Sequence, residues 1–318
     1  MSLPSAPYFD TSTWDPDLVV AGGARMVPIT TPAGDFRVWT KRVGTNPELK
    51  VLLLHGGPGA TDELYECFDV WFPGAGIEYY FYDQLGSFRS DQPDDPTLWD
   101  LDRFVDEVEQ VRQALGLGPD NFVLLGQSWG GLLAMEYAVH HQQQLKGLVI
   151  SNMMSSSRLY NAYAHDVLMP AMDQDVLAEI LRFEADGRTD DPRYEQLLME
   201  NHYALHVCRL PLDAWPDPVN RSLAHVNPAI YVPMQGPSEL GLSGTLEDWD
   251  RSADLKDIDV PTLVIGATHD TMEPAHMEWM SEQLPQGRYL HCPDGSHLSQ
   301  FDDPQHYFPG LIDFLQSL

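Results

Sequence analysis

Lysine is nearly absent: Lys41, Lys50, Lys146 and Lys256 are the four in 318 residues, and with arginine they make 18 basic groups against 48 acidic ones. The formal charge of −30 sets up a field that repels nucleic acid and anionic membrane surfaces, so neither is an expected partner. An acidic, lysine-poor surface also suits a saline medium, although acidity mostly reports solubility. Cysteine is just as scarce. Cys67, Cys208 and Cys292 are too few and too scattered for a disulfide framework or a zinc site, and they fit a reducing compartment. Long hydrophobic runs are missing as well. No stretch approaches the roughly 20 apolar residues that a membrane helix needs, and the opening MSLPSAPYFDTSTWDPD has neither the basic start nor the apolar run of a secretion signal. These absences predict a soluble, cytoplasmic protein. What is present, 43% hydrophobic and 10% aromatic residues, is enough for one large core or a core with a smaller appended layer.

Residues 1–23, rich in Pro, Ser and Asp, read as a surface arm. Met26 to Thr31 and Phe36 to Val43 are β-like runs around the turn signal Pro32-Ala33-Gly34-Asp35, which predicts an opening hairpin. Continuous apolar runs follow at 50–54, 78–82, 122–125, 147–150 and 260–266. Runs of that kind suit strands covered on both faces. Between two of them, Leu101, Phe104, Val105, Val108, Val111 and Leu115 recur at helical spacing with acids on the opposite face, ending at Gly116. Alternating strands and helices predict an α/β fold, a mostly parallel central sheet with helices on both faces. From about Ser155 to Asp250 the pattern changes. Val167 to Phe183 and Tyr194 to Cys208 read as helices, and Pro211 to Pro237 is crowded with prolines and aromatics. The expected organisation is a core over 1–154 and 251–318 with an inserted helical cap over 155–250.

One stretch carries the chemistry. Phe122-Val123-Leu124-Leu125 runs straight into Gly126-Gln127-Ser128-Trp129-Gly130 and then into a helix-tolerant apolar segment. G-x-S-x-G between a strand and a helix places a serine on a strained turn, with glycines where neighbouring backbone comes too close for a side chain. A serine hydroxyl is a poor nucleophile at neutral pH. It needs a base, and the base needs an acceptor that holds its tautomer. Asp270 follows the strand-like VPTLVIG, and His297 follows another strand-like run, so the order Ser128, Asp270, His297 matches the α/β-hydrolase arrangement. His269 and Asp294 are the nearest rivals, Asp294 reading better as a turn-former. The oxyanion of an acyl-transfer intermediate needs preorganised N–H donors. Trp129 N–H is the first candidate. His55-Gly56-Gly57-Pro58-Gly59, after an earlier strand, supplies the second in Gly57 N–H, its glycines, Gly56 included, allowing close approach to substrate.

HGGPG at 55–59, DQLGS at 83–87, GQSWGG at 126–131, GATHD at 266–270 and GSH at 295–297 together resemble the proline iminopeptidase family of α/β-hydrolases, particularly members similar to the tricorn-interacting aminopeptidase. The resemblance covers nearly the whole chain. It implies a cofactor-free, metal-free serine hydrolase that removes an N-terminal residue, proline or a small apolar one, from short peptides or amino-acid amides with a free amino terminus. Enzymes of this kind hold that terminus with acidic side chains near the cap. Gln235-Gly236-Pro237-Ser238-Glu239 matches the family's cap motif, which gives this role to Glu239. Relatives often carry a second glutamate directly after the triad aspartate, where this chain has Thr271, with Glu273 two residues further on. That departure opens the way to amides and esters. Glu136, an acid inside the apolar helix after Ser128, is a substitute candidate, although a hydrogen-bonded role suits it better. Tyr203, with Tyr160, Tyr163, Trp215 and Tyr231, is a candidate for lining a pocket under the cap. His202 and His206 share a helix face but lack a third metal ligand. The alternative readings are an amino-acid amidase or esterase on the same triad, and a hydrolase-like binding protein without turnover. Oligomeric state is left open.

Overall fold

The computed structural model describes residues 19–21 and 23–318, so nearly all of the surface arm expected over 1–23 lies outside the described residues. Nine strands form one sheet in the order β1-β2-β3-β5-β4-β6-β7-β8-β9. β1 (Val19–Ala21), β2 (Ala24–Thr31) and β3 (Gly34–Val43) pair antiparallel. Strands β2 and β3 run into the predicted turn, with Thr31 opposite Gly34, so only Pro32 and Ala33 remain to make it. From β5 (Glu78–Asp83) through β4 (Lys50–Leu54), β6 (Phe122–Gln127), β7 (Gly147–Ser151) and β8 (Thr262–Ala267) to β9 (Gly287–Cys292) every pairing is parallel. Their carboxyl ends therefore line one rim.

The apolar runs are strands because both their faces are covered. Alternate residues go to opposite sides: Leu52, Leu54, Leu124, Leu148 and Val264 join one core, Val51, Leu53, Val123, Val149 and Ile265 the other. The first core is closed by α1 (Leu101–Leu115), α2 (Trp129–His141) and the later helix Pro274–Gln283, the second by Pro304–Gln316 and an aromatic patch of Phe68, Phe72, Tyr307 and Phe308. Helix α1 starts where Asp100 accepts from Arg103 N–H at 3.2 Å and stops at Gly116, as its periodicity predicts.

Between β7 and β8 helices replace strands. They are α3 (Ser157–Tyr163), α4 (Gln174–Ala185), α5 (Pro192–Leu198), α6 (Asp217–Ala224) and α7 (Pro228–Met234), with α8 (Pro274–Gln283) and α9 (Pro304–Gln316) back in the core layers. Two expectations change here. The helix read over Val167 to Phe183 breaks after Ala171, because the Asp173 carboxylate accepts from the N–H groups of Asp175 and Val176 and starts α4 afresh. The proline-crowded segment is partly helical. Pro218 and Pro228 sit in the first turns of α6 and α7, where the missing N–H loses no intrahelical bond. An antiparallel bridge between Ser156 and Asp250 joins the two ends of this excursion.

Candidate active site

Ser128 stands between β6 and α2 with φ 56° and ψ −126°. A β-carbon on Gly126 would lie 1.9 Å from Gly130 O, and one on Gly130 would lie 1.9 Å from Leu54 O. Neither glycine tolerates a side chain, so the turn is as tight as the pentapeptide predicts. Ser128 N–H is anchored on Ser151 O at 3.0 Å, while Gly131 and Leu132 donate to Ser128 O.

The loops after β8 and β9 bring Asp270 and His297 beside this turn. His297 Nδ1 donates to Asp270 Oδ1 at 2.7 Å, with both residues buried. Burial pulls the ring's pKa down, but the Asp270 carboxylate against it wins, and the net shift is upward from the ordinary value. The carboxylate itself is fully occupied. Asn152, directly after β7, donates its side-chain amide to Asp270 Oδ2 at 2.7 Å and to Ser296 O at 3.2 Å, and Met272 N–H donates to Asp270 Oδ1 at 3.1 Å. Thr271 Oγ1 lies 3.4 Å from Asp270 Oδ1 and 3.2 Å from His297 Nδ1. The residue at the family's second glutamate position is thus turned onto the Asp–His contact. Ser128 and His297 line the same cavity; among the described residues no hydrogen bond joins the hydroxyl to the ring, a contact that commonly tightens only around substrate.

Among the described residues, the N–H groups of Trp129 and Gly57 stand near the serine with no backbone acceptor outside helices and strands. Trp129 is the first residue of α2, where no intrahelical partner exists. Gly57, at φ 111°, follows β4 and lines the cavity beside Gly56. Their loops are tied together by Gln84, which is buried after β5. Gln84 N–H donates to His55 Nε2 at 3.1 Å, its amide nitrogen donates to His55 O at 3.3 Å, and its amide oxygen accepts from the Trp129 indole at 2.9 Å. His55 Nδ1 is left to donate to Gly56 O at 2.9 Å, and burial drives its pKa down to about 4, which keeps the ring neutral.

The cavity holds about 200 Å³ and reaches from Ser128, Gly56, Gly57 and His297 to Tyr203, Tyr231 and Glu239. A narrower recess opens beside it between Ser128, Trp129, Met153, Tyr160, Leu242 and Met272, and Glu239 borders both. Four groups immobilise Glu239. Tyr231 OH donates to its carboxylate at 2.5 Å, Tyr160 OH and His202 Nε2 donate to its carbonyl at 2.8 and 3.1 Å, and Tyr203 OH accepts from its N–H at 3.4 Å.

Glu136 is a correction. It lines neither space; its carboxylate takes Trp249 Nε1 at 2.9 Å and Arg251 at 2.6 and 2.8 Å, fastening the end of the helical insertion to α2. Glu273 occupies the position before α8 and also lines neither. His202 and His206 spend their rings on the carbonyls of Glu239 and His269. Among the described residues, the group of metal-capable side chains that stands close enough to share an ion is Asp294, Asp303 and His306, away from the serine, and there Asp303 already accepts from His306 and from Asp294 N–H. Sequence reasoning missed Gln84, Asn152 and His55. His55 lies inside HGGPG and Gln84 inside DQLGS, whereas Asn152 carried no signal beyond following a strand.

A family model described as the alpha/beta hydrolase fold matches residues 50–304. A proline iminopeptidase of Flavobacterium johnsoniae is 54% identical over 92% of this chain and 98% of its own length. One from Elizabethkingia meningoseptica is 55% identical over the same shares. Among solved structures, VinJ superposes with TM-score 0.84 at 32% identity, covering 92% of this chain and 98% of that one. The proline iminopeptidase of Mycobacterium smegmatis gives 0.78 at 32% identity over 91% and 98%.

Proposed function

Since this chain belongs to the proline iminopeptidase family of α/β-hydrolases, we propose that it is a serine aminopeptidase releasing N-terminal proline from short peptides and amides, with Ser128, Asp270 and His297 as its triad. His297 Nε2 takes the proton of Ser128 as Oγ bonds to the scissile carbonyl carbon. Asp270, held by Asn152 and Met272 N–H, keeps the proton on Nδ1 and stabilises the charged ring. The carbonyl oxygen becomes anionic between the N–H groups of Gly57 and Trp129. His297 then gives its proton to the departing nitrogen, the C–N bond breaks and a prolyl ester remains on Ser128. Water, losing a proton to His297, attacks that ester and restores the serine.

Glu239 holds the substrate's ammonium and so selects a free N-terminus. The helical segment over 155–250 acts as a cap, limiting access to short chains. Three free cysteines agree with a cytoplasmic location, and among the described residues no helix is long and apolar enough to cross a membrane. The observation that carries the reading is the 2.7 Å His297–Asp270 contact on the cavity that Ser128 and Glu239 share.

Hydrolysis of prolyl-β-naphthylamide tests it. Ser128→Ala is expected to lower kcat by roughly four to six orders of magnitude. Glu239→Gln is expected to raise KM about 10- to 100-fold, the worth of one charge-assisted hydrogen bond of about 1.5–3 kcal/mol, while p-nitrophenyl acetate, which has no ammonium, turns over as before. Ester turnover alone, unaffected by Glu239→Gln and with prolyl-β-naphthylamide left uncleaved by the unmodified enzyme, removes the aminopeptidase reading.

A further inference from the structure

The two spaces around Ser128 are not equivalent. The general acid must reach the departing nitrogen, so the leaving group occupies the side that His297 lines. His297 and Leu298 border the larger cavity and not the recess. The acyl residue therefore turns toward Trp129 and Met153, into a recess of about 10 Å³ that must widen to take a prolyl ring, and Glu239, bordering both spaces, stands where the ammonium of that residue branches off.

The leaving side is walled by Leu64, Val207, Val219, Leu223, Val226 and Leu298. Its polar members already have protein partners. Gln127 donates to His297 O at 3.0 Å, Ser222 Oγ accepts from Thr61 at 3.1 Å, and Tyr231 is bonded to Glu239. Among the described residues no lysine or arginine lines this space. The arginine of α6, Arg221, directs its nitrogens to Glu63, Glu66 and Asp217 instead.

We infer that the enzyme is selective for its leaving group: the residue after the scissile bond is large and apolar, and its carboxyl is carried onward as an amide or peptide bond, not as a free carboxylate. This deepens the aminopeptidase reading and rests on it. A dipeptide's terminal carboxylate would meet no cation here. It would share a cavity with largely apolar walls and the Glu239 carboxyl group, inside a chain of formal charge −30, and both raise its energy. An aliphatic side chain in the same place buries its surface against Leu223 and Val226. The preferred substrates are thus prolyl peptides of three or more residues with an apolar second residue, and prolyl amides of apolar amines.

The test compares kcat/KM for Pro-Leu-NH2, Pro-Gly-NH2 and Pro-Leu with a free carboxylate. Pro-Leu-NH2 is expected to exceed each of the others about tenfold or more. In Leu223→Arg, which brings a cation to the cavity mouth, the ratio of free-acid to amide turnover is expected to rise about tenfold. Equal turnover of Pro-Leu and Pro-Leu-NH2 by the unmodified enzyme, with prolyl amides still cleaved, overturns this inference and leaves the aminopeptidase reading standing. Failure to cleave any prolyl substrate overturns both.

Discussion

Gln84 never needs to touch the substrate, yet three hydrogen bonds make it the link between the loops that offer Gly57 and Trp129 N–H. Removing the amide leaves the His55 carbonyl and the Trp129 indole without a partner in a buried space, and the two N–H groups lose their common aim. Gln84→Leu is expected to lower kcat about 10- to 100-fold on prolyl-β-naphthylamide with KM little changed, because the oxyanion exists only after attack. The acid limb of the rate profile is a useful companion. In the proposed mechanism His297 must be neutral to accept the serine proton, and the Asp270 carboxylate outweighs burial in raising its pKa, so the acid-side decline in activity is expected to set in above the ordinary imidazole value. That limb is expected to stay in place in Gln84→Leu, since the Asp270 contact is untouched. An unchanged kcat sinks the assignment.

At the scale of elements, Arg221 and His225 tie α6 to the segment that follows Gly57. Arg221 bonds Glu63, Glu66 at 2.6 Å and Asp217 at 2.7 Å, and His225, just after α6, bonds Glu63 at 2.8 Å. Glu63 is buried, in the short helical turn Asp62–Tyr65 that follows the Gly57 loop. The same helix contributes Val219, Ser222 and Leu223 to the cavity. Arg221→Ala leaves the buried Glu63 with Thr61 and His225 as its side-chain partners among the described residues, and is expected to cost about 1–3 kcal/mol in urea unfolding while raising KM several-fold. Arg221→Lys recovers the charge but not the fork that reaches three carboxylates, so partial rescue is expected. Unaltered stability together with unaltered KM refutes the link. A second contact of this kind joins the insertion to the His297 loop, where His297 and Leu298 N–H donate to His206 and Val207 carbonyls at 2.9 and 2.8 Å.

Across the whole molecule, three buried histidines set a pH response. Burial holds His55, His202 and His276 at about 4 in the folded chain, against roughly 6.5 when unfolded. Between those values the unfolded chain binds protons that the folded one refuses, so these groups make stability fall as pH drops from about 6.5 toward 4. His297, whose pKa is raised, acts in the opposite sense, and so does Asp83, whose burial beside Asp62 pushes it well up. A single substitution isolates one contribution. His276 Nε2 accepts from Ser155 N–H at 3.4 Å, and His276→Asn is expected to flatten the melting temperature against pH over that window. An identical slope in the variant counts against a neutral buried ring at this position.

Much of this was readable from local chemistry. Strands covered on both faces show as apolar runs, α1 shows as a period with a cap and a stop, and a serine between two glycines after a strand marks a turn that few other sequences can make. Ser128, Asp270 and His297 stand at strand ends, which the linear pattern locates without knowing the strand order. The helical insertion was less legible, because Asp173 and the first-turn prolines change helix boundaries through single hydrogen bonds that periodicity does not sense. What the tertiary structure alone decided is which groups meet. Gln84 from one loop holds two others, Asn152 reaches Asp270 across 118 positions, Glu136 turns to Arg251 instead of the cavity, and Thr271 faces the Asp270–His297 contact. The physical reason is range: backbone conformation and burial are set largely by neighbours in sequence, whereas a hydrogen bond or an ion pair forms only when folding has placed both partners within about 3 Å.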